Sequence, residues 1–124
     1  MLLKDFYKII RIEHNSGQIS NAEVVIELNA KHEVFKGHFP DNPVTPGVCM
    51  MQIIKELSEK ILGERLFLTS ASNVKFMAII NPNINPILRL ELAITQSEGV
   101  VKVKNTTWME DVMALKLSNV YKIV

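Results

Sequence analysis

Apolar and polar residues alternate most clearly in the second half of the chain. Leucine or isoleucine stands at every second position of residues 88–94, with arginine, glutamate and alanine between them. Because successive side chains of a strand point to opposite faces, this period of two predicts a strand with one buried face. The alternation returns at residues 101–103 behind Glu98-Gly99 and at residues 113–118 behind Glu110-Asp111. The tail is therefore predicted to be a meander of antiparallel strands.

Earlier runs also favour strands. Residues 7–13 and 22–28 are rich in β-branched side chains, and Asn15-Ser16-Gly17 between them is typical of a turn, so they predict a β-hairpin. Residues 66–76 predict a further strand. By contrast, residues 31–46 are interrupted by glycine and proline and predict a loop without regular structure.

One helix of about four turns is predicted over Gly47–Leu62. Thr45 is its candidate N-cap, Pro46 its first helical residue and Gly63 its C-cap. The first half is apolar on nearly every side and the second half is amphipathic. We therefore expect other structure to surround the start of this helix.

One long apolar helix among about six strands favours an α+β fold, in which a curved antiparallel sheet wraps around the helix. The chain has 124 residues, of which 48% are hydrophobic. Such a length and composition suit one domain, here residues 1–124, with one core.

Charge and cysteine content also restrict which partners and which cellular compartment we expect. The 14 basic and 13 acidic residues leave a net charge of +1, which predicts neither nucleic-acid nor membrane binding. Cys49 has no second cysteine to pair with, which favours a reducing compartment and a buried, inert thiol. Since no cleavable leader pattern and no membrane-length apolar stretch is present, we expect a cytoplasmic protein.

The segment before and into the helix carries the most specific motif. It contains Gly37-His38-Phe39-Pro40, then Pro43-Val44 after two residues, then Pro46-Gly47-Val48 after one more. This pattern resembles the motif of the β-hydroxyacyl-acyl-carrier-protein dehydratases, and the order of predicted elements is similar to the hot-dog fold of that family. The resemblance covers most of the chain, and it weakens before about residue 15 and after about residue 95.

The resemblance implies a catalytic role for His38, as the base that removes the α-proton of a 3-hydroxyacyl thioester while water leaves and a trans-2-enoyl thioester forms. A neutral imidazole on a proline-rich loop suits general-base chemistry. The resemblance also implies that the Gly47 amide binds the thioester carbonyl, and the unpaired N–H groups of a helix start suit that role.

Neighbouring residues are the candidate substrate-binding set. Phe35, Phe39 and the apolar helix start either line a tunnel for the acyl chain or belong to the core. The full predicted set is Phe35, Gly37, Phe39, Pro46 and Val48.

The chain departs from the family pattern at Gln52, fourteen positions after His38, where active members carry Glu or Asp. An amide has no proton to give near neutral pH, and general acid catalysis contributes about 10²- to 10⁴-fold, so altered or reduced activity is predicted. Glu56, one turn later, stands where many members carry Gln. It is either a relocated acid, about 6 Å along the helix, or a solvated or ion-paired residue beside Lys55 and Lys60.

The other sequence features add no chemistry. His14 and His32 have no partner at useful spacing and are predicted to be structural or exposed. No residue set suits a metal and no glycine-rich loop suits a nucleotide, so neither a metal nor a cofactor is expected. Residues 77–86, with two Asn-Pro pairs, predict a longer turn than the family has.

Three functions remain open from the sequence. The first is a 3-hydroxyacyl-thioester dehydratase acting on an acyl carrier protein or coenzyme A thioester, with His38, Gly47, Gln52 and Glu56 as catalytic residues. The others are a non-catalytic acyl-carrier or acyl-chain binding subunit and a hot-dog acyl thioesterase. Because family members build one site from two subunits, the resemblance implies a homodimer or an assembly of dimers.

Overall fold

The computed structural model describes residues 5–15, 19–37 and 43–124. Within them, six strands and two helices are formed, and the strands join in one antiparallel sheet of order β1-β2-β4-β5-β6-β3. This confirms the predicted α+β architecture. The elements are β1 Tyr7–His14, β2 Ile19–Leu28, α1 Val34–Gly37, α2 Gly47–Leu62, β3 Leu66–Phe76, β4 Ile87–Ser97, β5 Val100–Met109 and β6 Val112–Ile123.

The core lies between one face of the sheet and α2. All four apolar positions of the β4 alternation, residues 88, 90, 92 and 94, are buried there, as their period of two predicts. From α2 the buried side chains come from one side of the helix and include Met50, Ile53 and Leu57. The opposite side, which carries Gln52 and Glu56, is only half-buried.

The predicted turns between the C-terminal strands are present. Glu98 and Gly99 both have positive φ, 52° and 77°, as a two-residue hairpin turn of the primed type requires. Glu110, with φ 52°, takes the same conformation between β5 and β6. Tight turns therefore fix the register of β4, β5 and β6.

The bounds of α2 match the prediction, but its N-terminal cap does not. Pro46, in an extended conformation, precedes the helix and no side chain caps it, whereas Thr45 was expected as the cap and Pro46 as the first helical residue. The Thr45 hydroxyl is buried and has no hydrogen-bond partner among the described residues. At the other end Gly63 adopts the left-handed conformation and its N–H donates to the Glu59 carbonyl at 2.8 Å, as expected of a C-cap.

The loop prediction for residues 31–46 is wrong in one part. Val34–Gly37 forms a single helical turn, α1, although the glycine and proline content of the segment predicted a loop. Phe35 anchors this turn because its buried ring stacks on Phe6, with ring centroids 5.5 Å apart. Residues 43–46 are irregular, as predicted.

The sheet has two edge strands, β1 and β3. β3 is eleven residues long and only its first residue, Leu66, is buried. Phe67, Val74 and Phe76 on this strand are 55%, 38% and 49% exposed. A long, exposed, apolar edge is a surface that natural proteins cover or pair.

Candidate active site

Six of the nine motif residues lie within the described structure. Pro43 and Thr45 are buried, and Pro46, Gly47 and Val48 form the entrance to α2. The predicted base His38 and the predicted substrate contact Phe39 lie outside the described residues, as does Pro40. Gly37 ends α1, is exposed, and has open space where a Cβ would lie.

A cavity of about 490 Å³ opens at the start of α2. Its walls come from residues 44–48 on one side and from the end of β3 and the following segment on the other. Three predicted site residues, Pro46, Gly47 and Val48, therefore share one pocket. The remaining lining residues are Val44, Thr45, Phe76, Ala78, Ile79 and Ile80.

The helix start presents backbone donors to this cavity. The N–H groups of Cys49 and Met50 both donate to the Pro46 carbonyl, at 3.0 and 3.2 Å. The N–H groups of Gly47 and Val48 come earlier and have no carbonyl one turn before them within the helix. The positive end of the helix dipole adds to these donors. Negative charge on a carbonyl oxygen would be stabilised at this position.

Gly47 is also required for packing. A Cβ at this position would lie 2.8 Å from Cζ of Phe76, closer than real Cβ contacts. The absence of a side chain lets the Phe76 ring lie over the first turn of α2. This contact, which the sequence analysis missed, ties the β3 end to the helix start and shapes the cavity.

Gln52 and Glu56 contact each other on the half-buried side of α2. Gln52 donates through Nε2 to Oε2 of Glu56 at 3.0 Å, as neighbours four residues apart on a helix can. The other oxygen of Glu56, Oε1, accepts from the hydroxyl of Tyr7 at 2.8 Å. Tyr7 lies on β1, 49 residues earlier, and no motif in the sequence pointed to it.

Glu56 is not neutralised by a basic partner among the described residues. Lys55 pairs with Glu59, at 4.0 Å, and within the described residues no ion pair includes Glu56. Burial, followed by the hydrogen bond and the charge of Glu56, raises the pKa of Tyr7 well above its ordinary value. Tyr7 is thus a donor to Glu56 throughout the physiological pH range.

Gln52 also faces a second, smaller cavity. About 240 Å³ lie between α2 and the start of β3, next to Met51, Lys55 and Phe67. Gly47 does not line this cavity, and Gln52 does not line the cavity at the helix start. The structure therefore forms two neighbouring groups. Pro46, Gly47 and Val48 lie together at the start of α2, and Gln52 and Glu56 contact each other further along the same helix.

Phe35, His32 and Cys49 are packed among other residues of the fold. Phe35 is part of the core, and His32 meets Phe6 edge-on while its Nδ1 accepts from the Val34 N–H at 3.1 Å. Cys49 is buried and burial raises the pKa of its thiol, which agrees with the predicted inert role.

No group of three potential metal ligands occurs among residues 5–15, 19–37 and 43–124. No helix in these ranges is long and apolar enough to cross a membrane.

Comparison with known proteins gives one family over most of the chain. The model of the ApeI-like family, described as ApeI dehydratase, matches residues 13–114. The 3-hydroxyacyl-(acyl-carrier-protein) dehydratase FabZ of Thermoanaerobacter sp. (strain X514) is 24% identical over 108 residues, which cover 77% of this chain and 73% of that protein.

Solved structures agree on the fold. A chain of the dehydratase heterocomplex ApeI:P from Xenorhabdus doucetiae superposes with a TM-score of 0.67 at 22% identity, covering 93% of this chain and 96% of that one. The yhdA protein of Lactococcus lactis, a proposed thioesterase, gives a TM-score of 0.73 at 11% identity, covering 100% and 98%. At these identities the likeness concerns the fold, and it confirms the predicted hot-dog architecture.

Proposed function

The chain belongs to the ApeI-like dehydratase family, as the motif resemblance predicted, and on this premise we propose that it dehydrates a 3-hydroxyacyl thioester. The product is the trans-2-enoyl thioester. The observation that carries the proposal is the start of α2, where Gly47, the first residue of the helix, lines an apolar cavity together with other residues of the dehydratase motif. The substrate is an acyl group carried on an acyl carrier protein or on coenzyme A.

In this proposal His38 removes the proton from the α-carbon. The electron pair of that C–H bond forms the Cα–Cβ double bond, and the Cβ–O bond breaks. The amide of Gly47 stabilises the negative charge that develops on the thioester oxygen. Phe35, Gly37, Phe39, Pro46 and Val48 remain the proposed substrate-binding residues.

The departing hydroxyl needs a proton to leave as water, and Gln52 has none to give. We assign this proton to the imidazolium that forms on His38, so that the same group takes the α-proton and returns it. Gln52 accepts the hydroxyl hydrogen through its carbonyl oxygen and orients the oxygen lone pair. Glu56, the other proton source suggested by the sequence, accepts hydrogen bonds on both oxygens, which favours a carboxylate there.

We further propose a homodimer, formed along the β3 edge. Exposed apolar side chains continue from this strand to the rim of the cavity at the helix start, where Val48 is 66% and Ile79 is 67% exposed. A second copy that covers β3 would remove both the open edge and this rim from water. The two sites would then lie beside the subunit interface, as the family resemblance implies.

The thioesterase alternative is supported by the fold likeness to yhdA. A hydrolase would need Gln52 and Glu56 to hold a water, whereas the His38 motif favours elimination. The non-catalytic binding subunit is supported by the missing acid at Gln52.

One experiment separates these functions. Purified protein is incubated with a 3-hydroxyacyl carrier thioester and, separately, with the saturated thioester of equal length. We expect enoyl thioester from the first and no free thiol from the second, and we expect His38→Ala to abolish product formation while the protein stays folded. No enoyl product under any condition would refute the dehydratase proposal, and free thiol would favour the hydrolase.

A further inference from the structure

The hydrogen bonds around Glu56 determine how the Gln52 amide is oriented. A carboxylate only accepts hydrogen bonds, so the side of Gln52 that meets Oε2 of Glu56 must be its NH₂ group. This chemical constraint fixes the amide orientation. The carbonyl oxygen of Gln52 is then turned away from Glu56.

Tyr7 fixes the carboxylate in turn. Its hydroxyl, on the edge strand β1, donates to Oε1 of Glu56 on α2 at 2.8 Å. Without this bond the Glu56 side chain would be free to rotate toward solvent or toward Lys60 one turn later. With this bond in place, Oε1 of Glu56 accepts from Tyr7, and Oε2 remains to accept from Gln52.

We propose that Tyr7 is a positioning residue of the dehydratase site, acting through Glu56 to fix the Gln52 amide so that its carbonyl oxygen meets the substrate hydroxyl in a site shared between the two subunits of the proposed dimer. The inference rests on the proposed function, and it adds that Tyr7 and Glu56 together orient the Gln52 amide. Glu56 is then an anchor for Gln52 and not a proton donor. The anchor also polarises the Gln52 amide, because a donor bonded to a carboxylate makes the carbonyl of the same amide a better acceptor.

The test is a double-mutant cycle on kcat. Tyr7→Phe and Glu56→Gln are each made in the natural sequence and in a Gln52→Ala background. We expect each to lower kcat by about tenfold when Gln52 is present and to have no further effect when it is absent. Ser58→Ala, which removes another buried hydroxyl hydrogen bond on α2, is the matched control and should leave kcat unchanged in both backgrounds.

A second readout does not depend on turnover. In ¹⁵N-labelled protein the side-chain amide signal of Gln52, identified by its loss in Gln52→Ala, should shift in Tyr7→Phe and stay in place in Ser58→Ala. An unmoved signal would overturn the inference even if the enzyme is active. Equal kcat losses with and without Gln52 would overturn it too, and for Glu56→Gln they would indicate a proton donor. A natural protein that forms no enoyl product would instead refute the proposed function.

Discussion

Replacing Gln52 by Glu restores the family's acid and places it against Glu56. The present N···O distance is 3.0 Å, so two carboxylates would meet where a donor and an acceptor now do. Two unit charges about 4 Å apart interact by about 4 kcal/mol at an effective dielectric constant of 20. Because both side chains are half-buried, we halve this to about 2 kcal/mol. The introduced carboxyl would then hold its proton about 30-fold more tightly than an ordinary Glu.

Because of this tighter proton binding, part of the Gln52→Glu variant carries a protonated acid near pH 6. An ordinary Glu has a pKa of about 4.3, so a 30-fold tighter proton leaves roughly 40% of the variant protonated at about pH 6 and under 1% at about pH 8. A positioned general acid contributes about 10²- to 10⁴-fold. We therefore expect Gln52→Glu to raise kcat at least about tenfold over the natural protein near pH 6, with the advantage falling by nearly tenfold per pH unit above about pH 7.

The assay measures the initial rate of enoyl thioester formation for both proteins across this pH range. Taking their ratio cancels the titration of His38, which both share. Gln52→Met is the control, since it keeps the volume without an acid and should be slower than the natural protein at every pH. A ratio below one throughout, or one that does not change with pH, would refute the reasoning.

Stability gives an independent check on the same variant. The folded state raises the pKa of the introduced carboxyl, so its contribution is fully present at low pH and is lost as pH rises through the folded value. The melting temperature of Gln52→Glu, relative to the natural protein, should therefore fall between about pH 4 and about pH 6 and stay level above about pH 7. A constant difference would mean that the two carboxylates do not interact.

Three further outcomes are expected. Gly47→Ala forces the half-exposed Phe76 ring aside, so urea unfolding should show a loss of about 1 kcal/mol that Phe76→Ala relieves, and additive losses would refute the contact. Because the folded state raises the pKa of Tyr7, stability should fall above about pH 10 by up to about 1.4 kcal/mol per pH unit, and Tyr7→Phe should reduce that slope. Val74→Lys on β3 should shift the light-scattering mass toward the monomer, while Val112→Lys at the start of β6, where the side chain is also exposed, should not. A dimer in both variants would exclude the β3 interface.

Most of the fold could be predicted from periodicity alone. The bounds of α2 and β3 match the predicted ranges, because Gly47 and Gly63 frame an apolar helix and residues 66–76 contain no break. The predicted N-cap was wrong because the Thr45 N–H donates to the Ile80 carbonyl at 2.9 Å, a long-range contact that no local pattern encodes, and Pro46 precedes the helix instead. α1 was missed since Phe35 stabilises its single turn through a tertiary contact with Phe6, which no local pattern encodes.

Some contacts of the candidate site could also be predicted from the sequence, and others could not. The proximity of Gln52 and Glu56 follows from helix geometry, so the sequence could predict it. Their third partner could not be predicted, because Tyr7 reaches them across 49 residues of chain. The Phe76 ring over Gly47 is likewise a long-range contact. The roles of His38 and Phe39, which lie outside the described residues, and the single-domain extent remain predictions.

Glu56 also shows why local charge patterns mislead at a partly buried position. A Glu four residues before Lys60 is a favourable helix pair, and the sequence therefore suggested an ion pair as one reading. Two neutral donors occupy the carboxylate instead, and neutral donors satisfy its oxygens without cancelling its charge. The site thus keeps one negative charge and one amide, as the family pattern has, with the charge moved one turn, about 6 Å, along α2. An anchored charge 3.0 Å from the Gln52 amide nitrogen can polarise that amide, and the Gln52→Ala cycle measures how strongly kcat depends on this contact.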